Sequence, residues 1–254
     1  MPKRIVSLAP SVTESLYQLE AQNNLIAVTS YCDYSGVKKE VVGTMVSPNI
    51  EKIFSLSPDL VVTVKGVNKS QTISKLKSLG LNVVVLDESN DFNGVVNNFY
   101  SLAKLVEKNK EAQDIVESVT EQVDFISKTA SSNPKLKVFW EVNARPLISI
   151  NKKAFANDFI RLCGAENIFA QSAIKYPRVS REDVVKKNPQ IIILVTMGDV
   201  TEKEKDYWQK FKDLEAVKQN RIYVIEADKV CRPTPKSFLI GLKEVAKALD
   251  TVVR

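Results

Sequence analysis

The sequence contains two acidic residues at matched positions of an internal repeat. Glu51 opens the segment 51–62 and Glu182 opens the segment 182–193. Each segment has an apolar residue two positions on, a proline seven positions on, and then an apolar run. Similarity on this scale predicts two related lobes. One carboxylate on each lobe can give register and orientation against a partner that contacts both lobes. An acid in the first turn of a helix also complements the helix dipole, and the two roles are compatible.

The residue types needed for catalysis are scarce in this chain. It has no histidine, which removes Ser/His and Cys/His pairs and the imidazole ligands of bare metal ions. Cys32, Cys163 and Cys231 lie far apart with no CxxC spacing, so a zinc site is not expected and the disulfide state stays open. No glycine-rich phosphate-binding loop is present. We therefore expect neither an enzyme nor a metal or cofactor held for catalysis.

The composition is typical of a globular protein with a substantial core. The chain has 254 residues, of which 44% are apolar and 26% charged, enough for one large domain or two of ordinary size. The net charge of +6 comes without a block of like charges, so nucleic-acid binding is not expected. The longest apolar runs, such as 191–195, are too short to cross a bilayer.

The two acids lie in a sequence in which strand patterns alternate with helix patterns, and these elements must position them. Near-continuous apolar runs recur between helical patterns, which predicts parallel sheets covered on both faces. Ser11 to Glu14 has the capping-box pattern and predicts the start of the first helix. The last helix is predicted over about 235–252. The predicted strands are 5–8, 25–28, 60–64, 82–86, 138–140, 191–195 and 221–225.

The middle of the chain predicts a long helix. Residues 95–133 contain no Gly and no Pro, and their second half has an apolar face at helical spacing. We interpret this helix as the connection between the lobes. The predicted fold is α/β, with two similar parallel-sheet lobes, one long interlobe helix and a ligand cleft between the lobes. The predicted boundaries are 1–107 for the first lobe, 108–132 for the linking helix and 133–254 for the second lobe.

Four segments of this chain resemble a known class of proteins. Residues 4–14, 49–61, 164–169 and 179–182 are similar to the signatures of the helical-backbone class of periplasmic binding proteins, which serve ABC importers. The resemblance runs from residue 4 to about residue 249. Within this class, the segments Ser30-Tyr31-Cys32-Asp33-Tyr34 and 176–182 resemble those of the cobalamin-binding proteins.

The resemblance implies how the two acids are used. In this class, the acids that match Glu51 and Glu182 lie on top of the two lobes and meet arginines of a permease dimer. The resemblance also implies a monomer in a periplasmic or extracytoplasmic location. The sequence starts directly before a strand without a signal-segment pattern. By itself this predicts either a cytosolic protein or one whose signal segment is absent from this chain.

The ligand implied by the resemblance is cobalamin or a related corrinoid. A corrin is large and flat with a polar rim, so its pocket needs aromatic faces and scattered polar groups. Tyr31 matches a cleft tyrosine of the class, and Tyr176 stands where the cobalamin-binding proteins have a tryptophan. The implied ligand-binding residues are Tyr31, Met45, Val64, Tyr176, Asp228, Lys229, Val230, Cys231 and Arg232.

Departures from the cobalamin-binding pattern keep other ligands open. Met45 and Val64 fall where those relatives have tryptophans, and Val142 falls where they have a phenylalanine. A haem or a ferric siderophore is therefore the alternative ligand within the same class, and Tyr31 could then ligate iron. A two-lobed enzyme is the alternative from another class.

Overall fold

In this computed structural model, residues 2–32, 39–131, 134–196 and 202–250 are described. The chain divides into two compact units. The first comprises residues 1–89 and 93–116, and the second comprises residues 90–92 and 117–254. Asp33 and Tyr34 of the cobalamin-like segment lie outside the described residues, as do 251 and 252 of the predicted last helix.

The first unit is built on a parallel sheet. In its described part the strand order is β3-β2-β1-β4-β5, and all neighbouring strands are parallel. The strands are β1 Ile5–Ser7, β2 Leu25–Val28, β3 Glu40–Val41, β4 Leu60–Val64 and β5 Val83–Leu86. The helices are α1 Pro10–Gln18, α2 Ile50–Ser55, α3 Ser70–Ser78 and α4 Phe92–Leu105, followed by α5 Asn109–Ala130, which continues into the second unit.

Side-chain alternation explains why helices cover both faces of this sheet. Ile5 and Val62 belong to a core cluster that includes residues of α1, α4 and α5. Their neighbours Val6 and Val61 belong to a second cluster with residues of α2 and α3. Successive residues of a strand point to opposite faces, so an all-apolar strand needs cover on each. Burial of each such side chain contributes about 1.5–3 kcal/mol.

The second unit has a sheet of similar design. In its described part the strand order is β11-β10-β6-β9, again parallel throughout, and β7 and β8 form a separate antiparallel hairpin. The strands are β6 Lys137–Glu141, β7 Asn143–Ala144, β8 Leu147–Ile148, β9 Glu166–Asn167, β10 Ile191–Val195 and β11 Ile222–Ile225. The helices are α6 Asn157–Leu162, α7 Arg181–Lys187, α8 Glu202–Trp208, α9 Glu215–Lys218, α10 Ala227–Val230 and α11 Pro235–Ala248.

Aromatic side chains fill both faces of the second sheet. Phe139 packs edge-on against Trp208, with ring centroids 5.5 Å apart. On the other face, Trp140 stacks on Phe159 at 6.2 Å, and Phe159 packs on Phe238 of α11 at 4.7 Å. Trp140 is therefore a core residue.

The predicted α/β class with two parallel-sheet lobes is confirmed, and so is the repeat. In each unit the helix that carries the matched acid leads into a strand (β4 or β10) that pairs with the unit's first strand, β1 or β6. The segment 108–132 corresponds to α5, and its role as a linker stays a prediction. Among the described helices, none is both long and apolar enough to span a bilayer.

The predicted start of the first helix is wrong. The structure begins α1 at Pro10 with Ala9 as its N-cap and no capping side chain, so Ser11 lies inside the helix. Proline at the first helical position has its φ already fixed near the helical value, which sets the start two residues earlier than Ser11 as the N-cap would. Glu14 is buried and accepts a hydrogen bond from Gln18 Nε2 at 3.0 Å.

A buried polar cluster lies at the carboxyl end of β6. Glu141 is fully buried, and its Oε2 accepts a hydrogen bond from Trp208 Nε1 at 2.8 Å. Desolvation raises the pKa of Glu141 to about 8. The hydrogen bond from Trp208 lowers the pKa, the negative charge of Glu204 raises it, and the positive charge of Arg181 lowers it. Its Oε1 has no hydrogen-bond partner in the described part of the chain. This carboxyl is therefore protonated near neutral pH, beside the ion pair between half-buried Arg181 and buried Glu204 at 2.8 Å.

The raised pKa of Glu141 predicts a pH-dependent stability. In the unfolded chain Glu141 has its ordinary pKa of 4.5, whereas in the folded protein its pKa is about 8. Between these two values only the folded state binds the proton, so the free energy of unfolding decreases as the pH rises from 4.5 towards 8. Glu141→Gln keeps an acceptor for Trp208 and removes the titration. We expect this variant to be ~2–4 kcal/mol more stable than the wild type at pH 9 and nearly equal to it at pH 4.5. Urea unfolding followed by tryptophan fluorescence measures both values.

The matched control is Glu166→Gln, which removes an exposed carboxylate of the same unit. Its unfolding free energy is expected to follow the wild-type pH profile. Parallel profiles for Glu141→Gln and the wild type would contradict a buried, neutral carboxyl.

Candidate functional site

The two matched acids occupy the same place in two short helices. Glu51 is the second residue of α2 and Glu182 is the second residue of α7. Both side chains are exposed, whereas the residues two positions on, Ile53 and Val184, are fully buried. Each helix thus turns an apolar residue to its core and directs the acid to solvent.

Both ends of α2 are held by side chains. Asn49 Oδ1 accepts a hydrogen bond from Lys52 N at 2.9 Å and caps the start of the helix. Arg4 Nη2 donates to Leu56 O at 2.6 Å and satisfies a carbonyl at the other end. A helix of six residues is too short to form by itself, so these contacts and its packing fix the position of Glu51.

The start of α7 is held more extensively. Ser180 and Asp183 form a capping box, and the hydrogen bonds from Ser180 lower the pKa of Asp183. Arg181 turns inwards to buried Glu204, and its guanidinium lies 4.3 Å from the ring centroid of Tyr207. Because Arg181 is anchored in this way, the next residue, Glu182, is directed outwards from a fixed backbone.

A cavity of about 610 Å³ lies beside Glu182 in the second unit. Its lining includes the exposed arginines Arg145 and Arg178 together with Tyr207. The complete lining is Ala144, Arg145, Pro146, Leu147, Arg178, Val179, Ser180, Arg181, Glu182 and Tyr207. Sequence reasoning missed this cavity because an antiparallel bridge between Ile148 and Arg178 joins two segments that are thirty residues apart.

Tyr31, Met45 and Val64 lie at or just after the carboxyl ends of strands in the first unit. Tyr31 lies just after β2 and is 64% exposed, while Met45 and Val64 are half-buried. Ser30 N donates to Gly43 O at 2.9 Å, which ties the segment after β2 to the segment after β3. The carboxyl ends of neighbouring parallel strands lie at one edge of a sheet, the usual location of ligands in α/β folds. The sheet thus orders these three predicted residues along one edge.

Asn68 is a positioning residue that the sequence did not reveal. Its Nδ2 donates to Met45 O at 2.6 Å, and its Oδ1 accepts from Thr63 Oγ1. Asn68 therefore links the end of β4, next to Val64, to the segment that carries Met45. Thr29 and Cys32 are buried nearby, with 3.1 Å between Oγ1 and Sγ.

Tyr176 is exposed on a segment whose backbone is well held. The carbonyl oxygens on either side of it, those of Lys175 and Pro177, accept hydrogen bonds from Asn151 N and Ser149 N. Lys175 Nζ lies 5.8 Å from the Tyr176 ring centroid and donates to Asn90 Oδ1 at 2.7 Å. Tyr176 therefore presents an aromatic ring to solvent from a fixed backbone.

The predicted segment 228–232 begins in helix α10, directly after β11. Arg232 Nη2 donates to Asp228 Oδ1 at 2.9 Å, and Ala227 N donates to Thr196 Oγ1 at 3.1 Å. Gly241 of α11 packs closely here, because a Cβ at this residue would lie 2.6 Å from Lys229 O. Helix α10 is thus pressed against α11 at a glycine, another positioning role that the sequence pattern did not reveal.

The predicted residues of the segment 228–232 differ in accessibility. Asp228 and Cys231 are exposed as residues, Lys229 and Arg232 are half-buried, and Val230 is buried. Val230 can therefore offer a ligand little side-chain surface. Although Cys231 is exposed as a residue, desolvation by surrounding atoms, followed by the nearby Asp228 charge, raises the pKa of its thiol to about 11, so it is a thiol at neutral pH.

The described residues in these places can contribute shape, hydrogen bonds and charge to recognition. Burial raises the pKa of Cys163 to about 12, and the three cysteines are not joined by disulfides. Within the described ranges, no group of three or more Cys, Asp or Glu side chains is arranged to hold a metal ion.

Known proteins resemble this chain over nearly its whole length. The vitamin B12-binding protein of Vibrio cholerae is 29% identical over 238 residues, which cover 93% of this chain and 85% of that protein. Among solved structures, the periplasmic vitamin B12-binding protein BtuF of Vibrio cholerae is 28% identical, with a TM-score of 0.84, and the match covers 98% of this chain and 97% of that one. A possible iron-binding, periplasmic solute-binding protein of Staphylococcus epidermidis is also 28% identical, with a TM-score of 0.85 and 98% of both chains covered.

A family model extends this likeness beyond single relatives. The model described as "periplasmic binding protein" matches residues 5–229, a range that includes both matched acids and both parallel sheets. The chain therefore belongs to the family of periplasmic binding proteins.

Proposed function

We propose that this protein is an extracytoplasmic substrate-binding protein that captures a cobalamin-like corrinoid and delivers it to an ABC importer. The likeness to the vitamin B12-binding protein of Vibrio cholerae over 93% of the chain is the observation that carries the proposal. The protein acts by binding and release, as a monomer and without catalysing a reaction. The absence of histidine from the sequence is consistent with this role.

The proposed ligand contacts come from both units. Tyr31 and Tyr176 supply exposed aromatic faces, which suit a flat macrocycle. Asp228, Lys229 and Arg232 supply polar groups for its amide rim, and Met45 and Val64 supply apolar surface. Val230 and Cys231 complete the set through the backbone of the same segment. Asn68 and Gly241 hold these segments in place.

The proposed docking contacts are Glu51 and Glu182. Each is exposed at the second position of a helix whose backbone is fixed, and the two are equivalent in the repeat. A permease dimer with two-fold symmetry offers the same basic surface twice. Two matched carboxylates are suited to pair with it.

An iron chelate, either a haem or a ferric siderophore, is the second candidate ligand. The likeness to the possible iron-binding protein of Staphylococcus epidermidis, at 28% identity, favours it. A smaller chelate would also need fewer aromatic faces, in keeping with Met45 and Val64 at the strand ends. Tyr31 would then be the candidate iron ligand through its exposed phenol.

The ligand is tested by calorimetric titration with cyanocobalamin, cobinamide and haemin. We expect one-to-one binding of cyanocobalamin with a free energy of about −8 to −12 kcal/mol, a dissociation constant between micromolar and nanomolar. Tyr31→Ala is expected to weaken it by about 1–2 kcal/mol, roughly 5- to 30-fold, because a stacking face is lost. Tyr100→Ala, which removes an exposed tyrosine from α4, is the control and should leave the affinity unchanged. Haemin binding without corrinoid binding would favour the second candidate.

Docking is tested by charge reversal at both matched acids. The double variant Glu51→Lys and Glu182→Lys is expected to abolish uptake of cyanocobalamin by proteoliposomes that contain the cognate importer. It should leave the calorimetric affinity for cyanocobalamin at the wild-type value, because neither acid is among the proposed ligand contacts. The control reverses two other exposed acids, Asp114 and Glu166, and should retain uptake. Loss of ligand affinity in the first variant would contradict the docking assignment.

A further inference from the structure

Helices α2 and α7, which carry the proposed docking acids, share a second feature. Phe54 is the fifth residue of α2 and Val185 is the fifth residue of α7, so each stands three positions after the matched acid. Phe54 is 49% exposed and Val185 is 37% exposed. The repeat thus places an exposed apolar side chain beside an exposed carboxylate in both units.

Folding does not account for these two side chains. In each helix the fourth residue, Ile53 or Val184, is fully buried and already anchors the helix to its core. Neither Phe54 nor Val185 belongs to the core clusters described for its unit. The solvent-facing side of a short amphipathic helix is normally polar. Single exposed apolar residues are common on proteins, but here they recur at equivalent positions next to functional candidates.

In each helix the acid and the exposed apolar residue are neighbours on the helix surface. Residues three positions apart are neighbours on a helix, with Cβ atoms about 5–6 Å apart. Glu51 with Phe54, and Glu182 with Val185, therefore form two small patches of mixed character. Such a patch is suited to a basic side chain flanked by apolar surface. The apolar contact excludes water from the ion pair and strengthens it.

We infer that Phe54 and Val185 are part of the importer-docking surface, where each inserts into an apolar depression of the permease beside the basic residue that meets Glu51 or Glu182. This inference rests on the proposed function and deepens it. The occupant is the permease dimer, because the pairing of negative charge with apolar surface occurs twice at equivalent places of the repeat. The larger ring of Phe54 gives the first unit the greater apolar contact.

The test compares the double variant Phe54→Ser and Val185→Ser with a matched control. Phe125→Ser and Val85→Ser remove the same residue types at similar exposures, 49% and 39%, from α5 and β5, which do not carry the matched acids. Association with the cognate importer in lipid nanodiscs is measured by biolayer interferometry, for ligand-free protein and for protein saturated with cyanocobalamin. We expect the first variant to bind about tenfold or more weakly and the control to bind within about twofold of the wild type. Both should keep the wild-type melting temperature and affinity for cyanocobalamin.

Other outcomes would separate the apolar contacts from the docking acids and from contacts between copies of this chain. If the double variant Phe54→Ser and Val185→Ser associates as strongly as the wild type while the charge-reversed variant does not associate, the apolar contacts are refuted. The docking role of Glu51 and Glu182 would then still hold. Concentration-dependent dimerisation of the wild type that this variant abolishes would assign Phe54 and Val185 to contacts between copies of this chain. No association of the wild type in either form would refute importer docking and the inference with it.

Discussion

The structure of each unit depends on the burial of parallel strands on both faces. Backbone N–H and C=O groups can be buried here because the neighbouring strands pair them, and apolar side chains on both faces then exclude water. In each sheet the parallel arrangement also brings all carboxyl ends to one edge. The side chains proposed to bind or dock therefore come from the segments after strands or from the helices before them, where packing of the core does not restrict the residue type.

The elements and the repeat were predictable because their patterns are local and strong. The apolar runs Val83–Leu86 and Ile191–Val195 predict strands, and the structure has strands there. Every residue of Ile191–Val195 is buried, whereas Val85 of the other run is exposed. The matched segments after Glu51 and Glu182 are both helices followed by strands, as the repeat indicated. The start of α1 was missed because two local signals competed, and the proline at position 10 decided the helix start over the capping pattern that begins at Ser11.

The contacts that position the candidate residues were not predictable, because each joins segments distant in sequence. Asn68 is bonded to the Met45 carbonyl, Arg4 caps α2 and Gly241 lies against the Lys229 carbonyl. None of these belongs to a periodic pattern, and a lone polar residue or glycine has many possible partners before the chain is folded. The buried Glu141 is a similar case, since an acid at the end of an apolar strand looks like an exposed one until Trp208 is seen against it.

Helix α7 illustrates what a fixed backbone means for association. Its capping box and the inward-turned Arg181 leave Glu182 with freedom only about its own side-chain bonds. A flexible loop bearing the same acid would lose backbone conformational entropy on association, at about 1–2 kcal/mol for each residue ordered. That loss is taken during folding instead, so the free energy of an ion pair formed at Glu182 would go largely into affinity.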